Sequence, residues 1–369
     1  MLTGFEFKLH SLHTEKMIGP NFSKIPGAPV SYWIGEAVYK CFENFKTIGD
    51  CGDLVEGIHT RENDRFLRLW HEVKLIDSSL SKFDSSKKWF AYSKGGEFRQ
   101  WYGNNEYVIN WLDDGKEIKE HPKATIANSS HYFEEGVTFT CLTSGRNSFR
   151  YAPKGFLYDV AGPTIYANIP QTIYCLLAFG VSKVSSMFIK MINPGLSLKL
   201  GEVKRVPYSY GEMREQIESI AHKCIDISKY DWDSFETSWD FQTHPLIDVR
   251  KEIAYGQFAE TRKCDANKLE KCFVEWETQC GIRFDNLKKN EEELNRTFID
   301  IYGLGEELTP DVAEKDITVR KADMSRDIRS LISYAVGCMF GRYSLDVPGL
   351  VYAGGTWDES KYKTFQADE

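Results

Sequence analysis

The sequence lacks the short signatures that mark several common classes of protein. Its nine cysteines include no Cys-x-x-Cys pair, so the usual ligand spacing of a structural zinc site is absent. Neither Gly-x-x-x-x-Gly-Lys-Ser/Thr nor Gly-x-Gly-x-x-Gly occurs, which excludes the common phosphate-binding loops. A Gly-x-Ser-x-Gly nucleophile elbow is also absent. We therefore expect buried thiols, no metal site and no assignable catalytic residue.

Long apolar stretches are missing as well. No apolar run approaches the roughly 18 residues that a transmembrane helix needs. The first residues, Met1–Glu6, do not form a basic segment followed by an apolar one, which is the pattern of a secretion signal. We expect a cytoplasmic protein that does not enter a membrane.

Basic residues are outnumbered, and the net charge of −8 argues at first against a nucleic-acid partner. The charge is unevenly distributed, however. Residues 1–210 hold 25 Lys/Arg and 22 Asp/Glu, a net charge of +3, whereas residues 211–369 hold 21 and 32, a net charge of −11. The negative charge of residues 211–369 does not exclude a basic cleft within residues 1–210.

Changes of hydrophobic periodicity divide the chain into three parts. Residues 1–47 form an N-terminal segment with a predicted helix over Val30–Phe45. Residues 48–210 contain short alternating runs separated by Gly, Asn and Asp, and helical spacing over 171–192 in which Gly180 is a weak point. Residues 211–369 are helical in texture. We predict an α/β (mixed α+β) fold, with a mixed sheet and helices in the second part and an acidic, mainly α-helical third part.

Two helices are predicted in detail in the third part. Asp285 is a candidate cap for a helix that runs to Tyr302, where Gly303 ends it. Ser325–Phe340 carries apolar residues at helical spacing, and we expect this stripe to pack in the core. Its members are Ile328, Leu331, Ile332, Ala335, Val336, Met339 and Phe340.

The segment Trp89–Trp111 combines aromatic rings with cations and amides. It has no period of 3.6 and carries Lys94, Arg99, Asn104 and Asn105 among its aromatic residues. A core strand would not place such groups beside so many rings. Aromatic planes, guanidinium and amide groups together suit a surface that contacts bases and phosphates.

A polar turn, Gly57–Phe66, follows a strand-like stretch and contains Arg61, Asn63 and Arg65. Taken alone it is best interpreted as a surface loop with Asx-type hydrogen bonds. The stretch resembles the Gly-Ile/Leu-x-Thr-Gly-x-Asn-x-x-Phe opening of DNA target-recognition domains in adenine methyltransferases and Type I specificity subunits. Arg61 stands where that pattern has its second glycine.

Further stretches resemble the adenine-specific DNA methyltransferases of BREX phage-defence systems, the PglX type. They are Trp89–Trp111 with its Gly-Gly-Glu-Phe-Arg-x-Trp-Tyr-Gly-Asn core, Phe149–Phe156, Asn290–Leu304 and residues 331–355. The resemblance runs from about Ile25 through nearly the whole chain. It implies a DNA target-recognition domain over residues 48–210 and a helical domain over residues 211–369.

The resemblance also implies parts that this sequence does not show. Such methyltransferases carry an S-adenosylmethionine-binding sheet and a Pro-Pro-Tyr catalytic loop before the recognition domain. The 12 prolines include no adjacent pair, and the residues before Ile25 are too few for the sheet. We expect S-adenosylmethionine on a missing or separate methyltransferase domain and no catalytic or cofactor-binding residue here. The chain would then be the C-terminal half, as a split subunit, a truncated gene or a cut piece.

The candidate DNA contacts lie on three loops. Cations suit phosphates or guanine edges, and amides suit adenine. The candidate cations are Arg61, Lys94, Arg99, Arg146 and Arg150. The candidate amides are Asn63, Asn104, Asn105 and Asn147. Trp101 and Tyr102 would support the loop or contact the strand backbone. Core packing is the alternative for these two rings, and a solvated loop position is the alternative for each Arg or Asn.

The expected partners are double-stranded DNA, a methyltransferase domain or subunit, and other BREX components. A rival hypothesis is a protein-interaction scaffold with little DNA affinity, in which the acidic helical half docks partners of the defence complex. Salt-dependent DNA binding by the isolated chain distinguishes the two hypotheses.

Overall fold

The structure is a computed structural model that describes residues 35–80, 82–141, 147–195, 197–255 and 269–365. Helices hold 48% of the described residues and strands 13%. In chain order the elements are α1 (Glu36–Asn44), α2 (Ile48–Cys51), β1 (Gly52–Val55), α3 (Asn63–Phe66), β2 (Leu67–Leu69), β3 (Ser78–Ser79), β4 (Trp89–Ser93), β5 (Tyr107–Asn110), α4 (Leu112–Lys119), β6 (Gly136–Phe139), β7 (Phe149–Ala152), β8 (Leu157–Tyr158), β9 (Thr164–Ala167), α5 (Ile173–Val181), α6 (Lys183–Ile192), α7 (Leu200–Val203), α8 (Arg214–Asp233), α9 (Pro245–Tyr255), α10 (Leu269–Tyr302) and α11 (Met324–Met339). The fold class is α+β with a helical C-terminal region, as predicted.

Two sheets form the first part of the molecule. The first is antiparallel, with strand order β1-β9-β6-β7. The second has the order β2-β5-β4-β3, and β8 also pairs with β4. Strand β4 runs antiparallel to β5 but parallel to β3 and β8, so this sheet is mixed, as the sequence predicts. Each sheet has its own apolar core.

The helical spacing over 171–192 forms two helices rather than one. The chain bends by 70° between α5 and α6, and the Ser182 hydroxyl accepts a hydrogen bond from the Ser185 N–H to cap α6. Gly180, the predicted weak point, lies inside α5, where a Cβ would come within 2.7 Å of the Phe149 ring. Among the described residues no single helix has the length and hydropathy to cross a bilayer; α5 and α6 reach that level only as a bent pair.

The helical region differs from the prediction at its longest element. Asp285 lies inside α10, which begins at Leu269, so the predicted cap is wrong. The first half of α10 packs with α9 and α11 in a separate cluster that includes Phe273 and Trp276. The predicted stop is confirmed, because Gly303 follows the helix with φ of 64°.

The core of the first sheet continues into the helical region. One cluster of buried residues contains Val137 of β6, Leu177 of α5, Ile217 of α8 and Phe298 of α10. The sequence predicts a domain boundary near Tyr210, and the apolar packing runs across it. The independence of the two parts stays a prediction.

Helix α11 confirms the predicted helix to within one residue at each end. The predicted core stripe is wrong for most of its members. Ile332 is 59% exposed, Met339 71% and Phe340 79%. The buried residues of α11 are instead Asp327, Tyr334 and Cys338.

Candidate nucleic-acid interface

The β4–β5 loop, Lys94–Glu106, has an unusual backbone. Five of its residues have positive φ, namely Gly95, Gly96, Trp101, Gly103 and Asn104. Glycine adopts such angles freely, but a tryptophan at φ of 68° is strained. Strain of this kind costs about 1–3 kcal/mol and persists only where the surroundings impose it. The loop must therefore be held firmly by its neighbours.

Trp101 is the main anchor of the β4–β5 loop. Its side chain is fully buried, and its indole Nε1 donates to the Glu291 carboxylate of α10 at 2.9 Å. Its backbone N–H donates to the Phe149 carbonyl at 2.9 Å, and its carbonyl accepts from the Tyr151 N–H at 2.8 Å. The loop is thus fixed to strand β7 on one side and to α10 on the other.

Arg99 joins the same loop to α8. The guanidinium is buried, and its Nη2 donates to Asp231 Oδ2 at 2.7 Å while its Nε donates to the Tyr102 carbonyl at 2.7 Å. It also lies 5.0 Å from the centroid of the Trp232 ring. Gly103 is required here, because a Cβ would come within 2.3 Å of Arg99 Nε. A phosphate contact would require Arg99 to leave these partners.

Arg150 lies in the interior beside the loop. Its Nη1 donates to the Ser148 hydroxyl at 2.6 Å and to the Thr140 hydroxyl at 3.1 Å, and its Nη2 donates to the Gly95 carbonyl at 3.4 Å. Burial, with the nearby Arg99 charge, lowers the pKa of Arg150 to about 10. Arg150 is 1% exposed, and it contacts the loop from the protein interior through uncharged partners.

The loop forms one wall of an open cleft of about 600 Å³. Lys94 and Asn104 are half-buried here; the Lys94 ammonium lies 4.7 Å from the Tyr107 ring centroid, and the Asn104 amide donates to the Glu97 carbonyl at 2.9 Å. The facing wall comes from the helical region through Trp232 and Arg320. The cleft therefore lies between the two parts of the chain.

The polar segment Gly57–Phe66, which ends in α3, exposes Arg61 and the polar side chains of α3. Arg61 and Asn63 are exposed, and Asn63 accepts a hydrogen bond from the Thr60 hydroxyl at 2.5 Å. Arg61 has φ of 61°, so it adopts the left-handed conformation that suits the glycine of the related pattern. Arg65 pairs with Glu117 of α4 at 2.8 Å, which fixes the turn to a different element from the β4–β5 loop.

The structure separates the candidate residues into two groups. The buried ones are Arg99, Trp101, Tyr102, Asn105, Asn147 and Arg150. The exposed or half-buried ones are Arg61, Asn63, Lys94 and Asn104. Arg146 lies outside the described residues. The DNA contacts themselves stay predictions, but only the second group meets solvent without rearrangement.

Sequence reasoning missed Arg320 and Trp232, because both lie in the acidic helical part and neither belongs to a recognisable motif. They reach the cleft only through tertiary packing. The described residues contain no group of three or more His, Cys, Asp or Glu side chains that could hold a metal ion.

Comparison with known proteins identifies two relatives that match part of their length to this chain. No protein-family model matches the chain. The adenine-specific methyltransferase PglX of Lacticaseibacillus casei (strain Zhang) is 41% identical over 357 residues, which cover 94% of this chain and 29% of that protein. This chain is a partial homologue of the PglX-type adenine-specific methyltransferases. The adenine-specific methyltransferase BrxX of Escherichia coli O9:H4 (strain HS) is 36% identical over 369 residues, with the same two shares. The resemblance found in the motifs is confirmed, and the chain spans 29% of the length of these PglX-type relatives.

Proposed function

We propose that this chain is the DNA target-recognition part of a PglX-type adenine-specific methyltransferase in BREX phage defence. It would bind double-stranded DNA and select the adenine site. The catalytic residues and the S-adenosylmethionine site would belong to the part of the relatives outside the matched segment. The observation that carries this proposal is the β4–β5 loop, a strained backbone held by buried anchors beside an open cleft.

Some residues of the loop hold its backbone and others face the cleft, and this arrangement supports a binding role. Trp101 and Arg99 are buried and hold the backbone, although Arg99 also borders the cleft, whereas Lys94 and Asn104 are half-buried and line the cleft. A rigid loop loses little conformational entropy when it binds, so its exposed groups can act as preset contacts. Lysine suits a phosphate, and an asparagine amide can pair with adenine through two hydrogen bonds.

The exposed turn before α3 gives the sharpest test. Because Arg61 has φ of 61°, the change Arg61→Gly removes the cation while the backbone keeps its conformation. The measurement is the fluorescence anisotropy of a labelled duplex over a salt series. We expect parent affinity to fall steeply with salt, and Arg61→Gly to reduce the log-log slope by about one if Arg61 meets a phosphate.

The matched control is Lys190→Gln, which removes an exposed cation from α6. It should leave the slope unchanged, and Arg61→Gly should melt no earlier than the parent. A parent chain without salt-dependent affinity for duplex DNA would contradict the proposed function and favour the scaffold hypothesis. An unchanged slope for Arg61→Gly would exclude only this turn from the DNA interface.

A second function, protein docking, is favoured by the exposed side of α11. We define the α11 apolar face as Ile332, Val336, Met339 and Phe340, all exposed. Trp357, 49% exposed, adjoins the end of this helix, because a Cβ on Gly341 would come within 2.4 Å of its ring. Exposed apolar surface of this kind is typical of interaction sites.

The occupant that we propose for the α11 apolar face is the methyltransferase part of the same enzyme. The relatives carry most of their length outside the matched segment, so this surface has a covalently linked partner available in them. The test is to titrate the chain with the remaining segment of the L. casei relative and to compare it with Phe340→Glu. Equal binding of both forms would exclude this face.

A further inference from the structure

Arg320 brings a cation into the cleft from the acidic part of the chain. Its backbone N–H donates to Asp231 Oδ1 at 2.9 Å, while Asp231 Oδ2 accepts from Arg99. The Asp231 carboxylate is thus used by the Arg99 guanidinium and the Arg320 backbone. Among the described residues no carboxylate lies within ion-pair distance of the Arg320 guanidinium, which packs 4.1 Å from the Phe235 ring centroid.

The surroundings of Arg320 favour an anionic ligand. The side chain is half-buried, and desolvation together with the charges of Arg99 and Arg326 lowers its pKa, although the carboxylates of Asp231 and Asp327 oppose this effect. Arg326 is itself paired with Asp327 at 2.7 Å, so it needs no further anion. Arg99 and Arg326 each have an ion-paired carboxylate. Of these three cations, Arg320 is therefore the one with which an incoming anion would pair. A guanidinium binds phosphate oxygens through two parallel hydrogen bonds.

The cleft also limits the charge of that anion. Lys94, Arg99 and Arg320 line it together with Glu97 and Glu106. The two carboxylates would repel a free polyphosphate, whose several charges would lie close to them. A phosphodiester carries a single charge and leaves its neighbours outside the cleft. The mixed lining therefore fits one backbone phosphate better than a nucleotide.

We propose that Arg320 binds one phosphodiester of the bound DNA, at the junction of the β4–β5 loop and the helical region. This inference rests on the proposed DNA binding. It places the duplex against both parts of the chain, including the part whose net charge is negative.

The test compares Arg320→Gln with Arg329→Gln, which removes an exposed cation from α11. The probes are two labelled duplexes of different sequence, measured by anisotropy at several salt concentrations. We expect Arg320→Gln to bind both duplexes about tenfold more weakly at low salt and to reduce the log-log slope by about 0.9, because a phosphate contact carries no sequence information. Arg329→Gln should match the parent in both respects.

A third variant separates charge from folding. Arg320→Lys keeps the cation, so it should keep the parent's salt slope even where loss of the paired hydrogen bonds weakens binding. Thermal unfolding of all three variants provides the check on the fold. Parent-like binding by Arg320→Gln overturns the inference while DNA binding stands, and so does an equal loss of slope in Arg320→Lys. A parent chain that binds neither duplex overturns the proposed function and this inference with it.

Discussion

The β4–β5 loop and α11 place their apolar side chains in opposite surroundings. The loop is irregular, yet Trp101 is fully buried and Tyr102 is 4% exposed. Helix α11 is regular, yet Met339 is 71% exposed and Phe340 79%. A regular apolar stripe establishes that a helix is amphipathic. It does not establish which side of the helix faces the core of the described chain.

A buried polar group contributes to the orientation of α11. Asp327 is 2% exposed, and its carboxylate accepts hydrogen bonds from Trp276 Nε1 at 3.0 Å and from the Asp323 N–H at 3.1 Å. Arg326 pairs with it at 2.7 Å. Leaving this carboxylate unsatisfied inside the protein would cost far more than exposing a methionine. The apolar face therefore turns outward.

The largest expected effect is at the loop anchor. Trp101→Ala should lower the free energy of unfolding by about 3–5 kcal/mol, because it leaves a cavity and removes the bond to Glu291. The measurement is urea unfolding followed by circular dichroism. The control is Trp357→Ala, at an exposed tryptophan next to α11, which should cost less than about 1 kcal/mol. Equal losses would contradict the contrast between the two regions.

The same anchor tests whether the two parts of the chain are separable. Trp101 bonds to α10, and one apolar core spans β6, α5, α8 and α10. We therefore expect, against the boundary predicted from charge and periodicity, a single unfolding transition and resistance to proteolysis around Tyr210 while the chain is folded. Two transitions, with early cleavage near that residue, would support the boundary predicted from charge and periodicity.

A smaller effect on stability, which depends on pH, is expected at His244. Burial lowers the pKa of His244 from 6.5 to about 4, and its Nδ1 accepts a hydrogen bond from the Leu246 N–H at 3.3 Å. His244 is therefore protonated below about pH 6.5 in the unfolded chain, whereas in the folded chain it stays neutral down to about pH 4. The free energy of unfolding should be highest above pH 6.5 and should fall by about 2–3 kcal/mol as the pH falls to 4.

The measurement for His244 is urea unfolding at pH 7.5 and at pH 4.5, with His244→Asn as the comparison. Asparagine keeps an acceptor near the Nδ1 position but does not titrate. The variant should lose less stability over this range than the parent. The same pH dependence in both proteins would assign the acid sensitivity to other groups.

The smallest effect on stability is expected on the α11 apolar face. Phe340→Ser should change the free energy of unfolding by no more than about 0.5 kcal/mol, because the ring is already 79% exposed. Tyr334→Ser, on the buried side of the same helix, should cost several kcal/mol. Urea unfolding of both variants decides this. A large loss for Phe340→Ser would show that its ring packs against the chain in solution.

Local sequence signals predicted where helices lie better than they predicted which side chains are buried. Periodicity predicted the bounds of α11 to within one residue, but its buried side includes Asp327, whose partner Trp276 lies far away in the chain. Likewise, the composition of Trp89–Trp111 predicted a contact surface rather than a core strand, whereas β4 and β5 are largely buried strands and Trp101 is fully buried in the loop that joins them. Arg320 reaches the cleft beside this loop only through tertiary packing. Contacts of this kind have no period or spacing that a single sequence would reveal.

The left-handed turn at Arg61 bears on which side chains this point of the surface can carry. A position that accepts glycine in the related pattern and arginine here keeps its backbone conformation while its side chain changes. Asparagine and aspartate also tolerate this conformation, at a cost of about 1–2 kcal/mol or less relative to glycine. Variation at this one position can therefore supply a positive, neutral or negative group at a fixed point on the surface. Such an exchange would change what the turn can contact without rebuilding the sheet behind it.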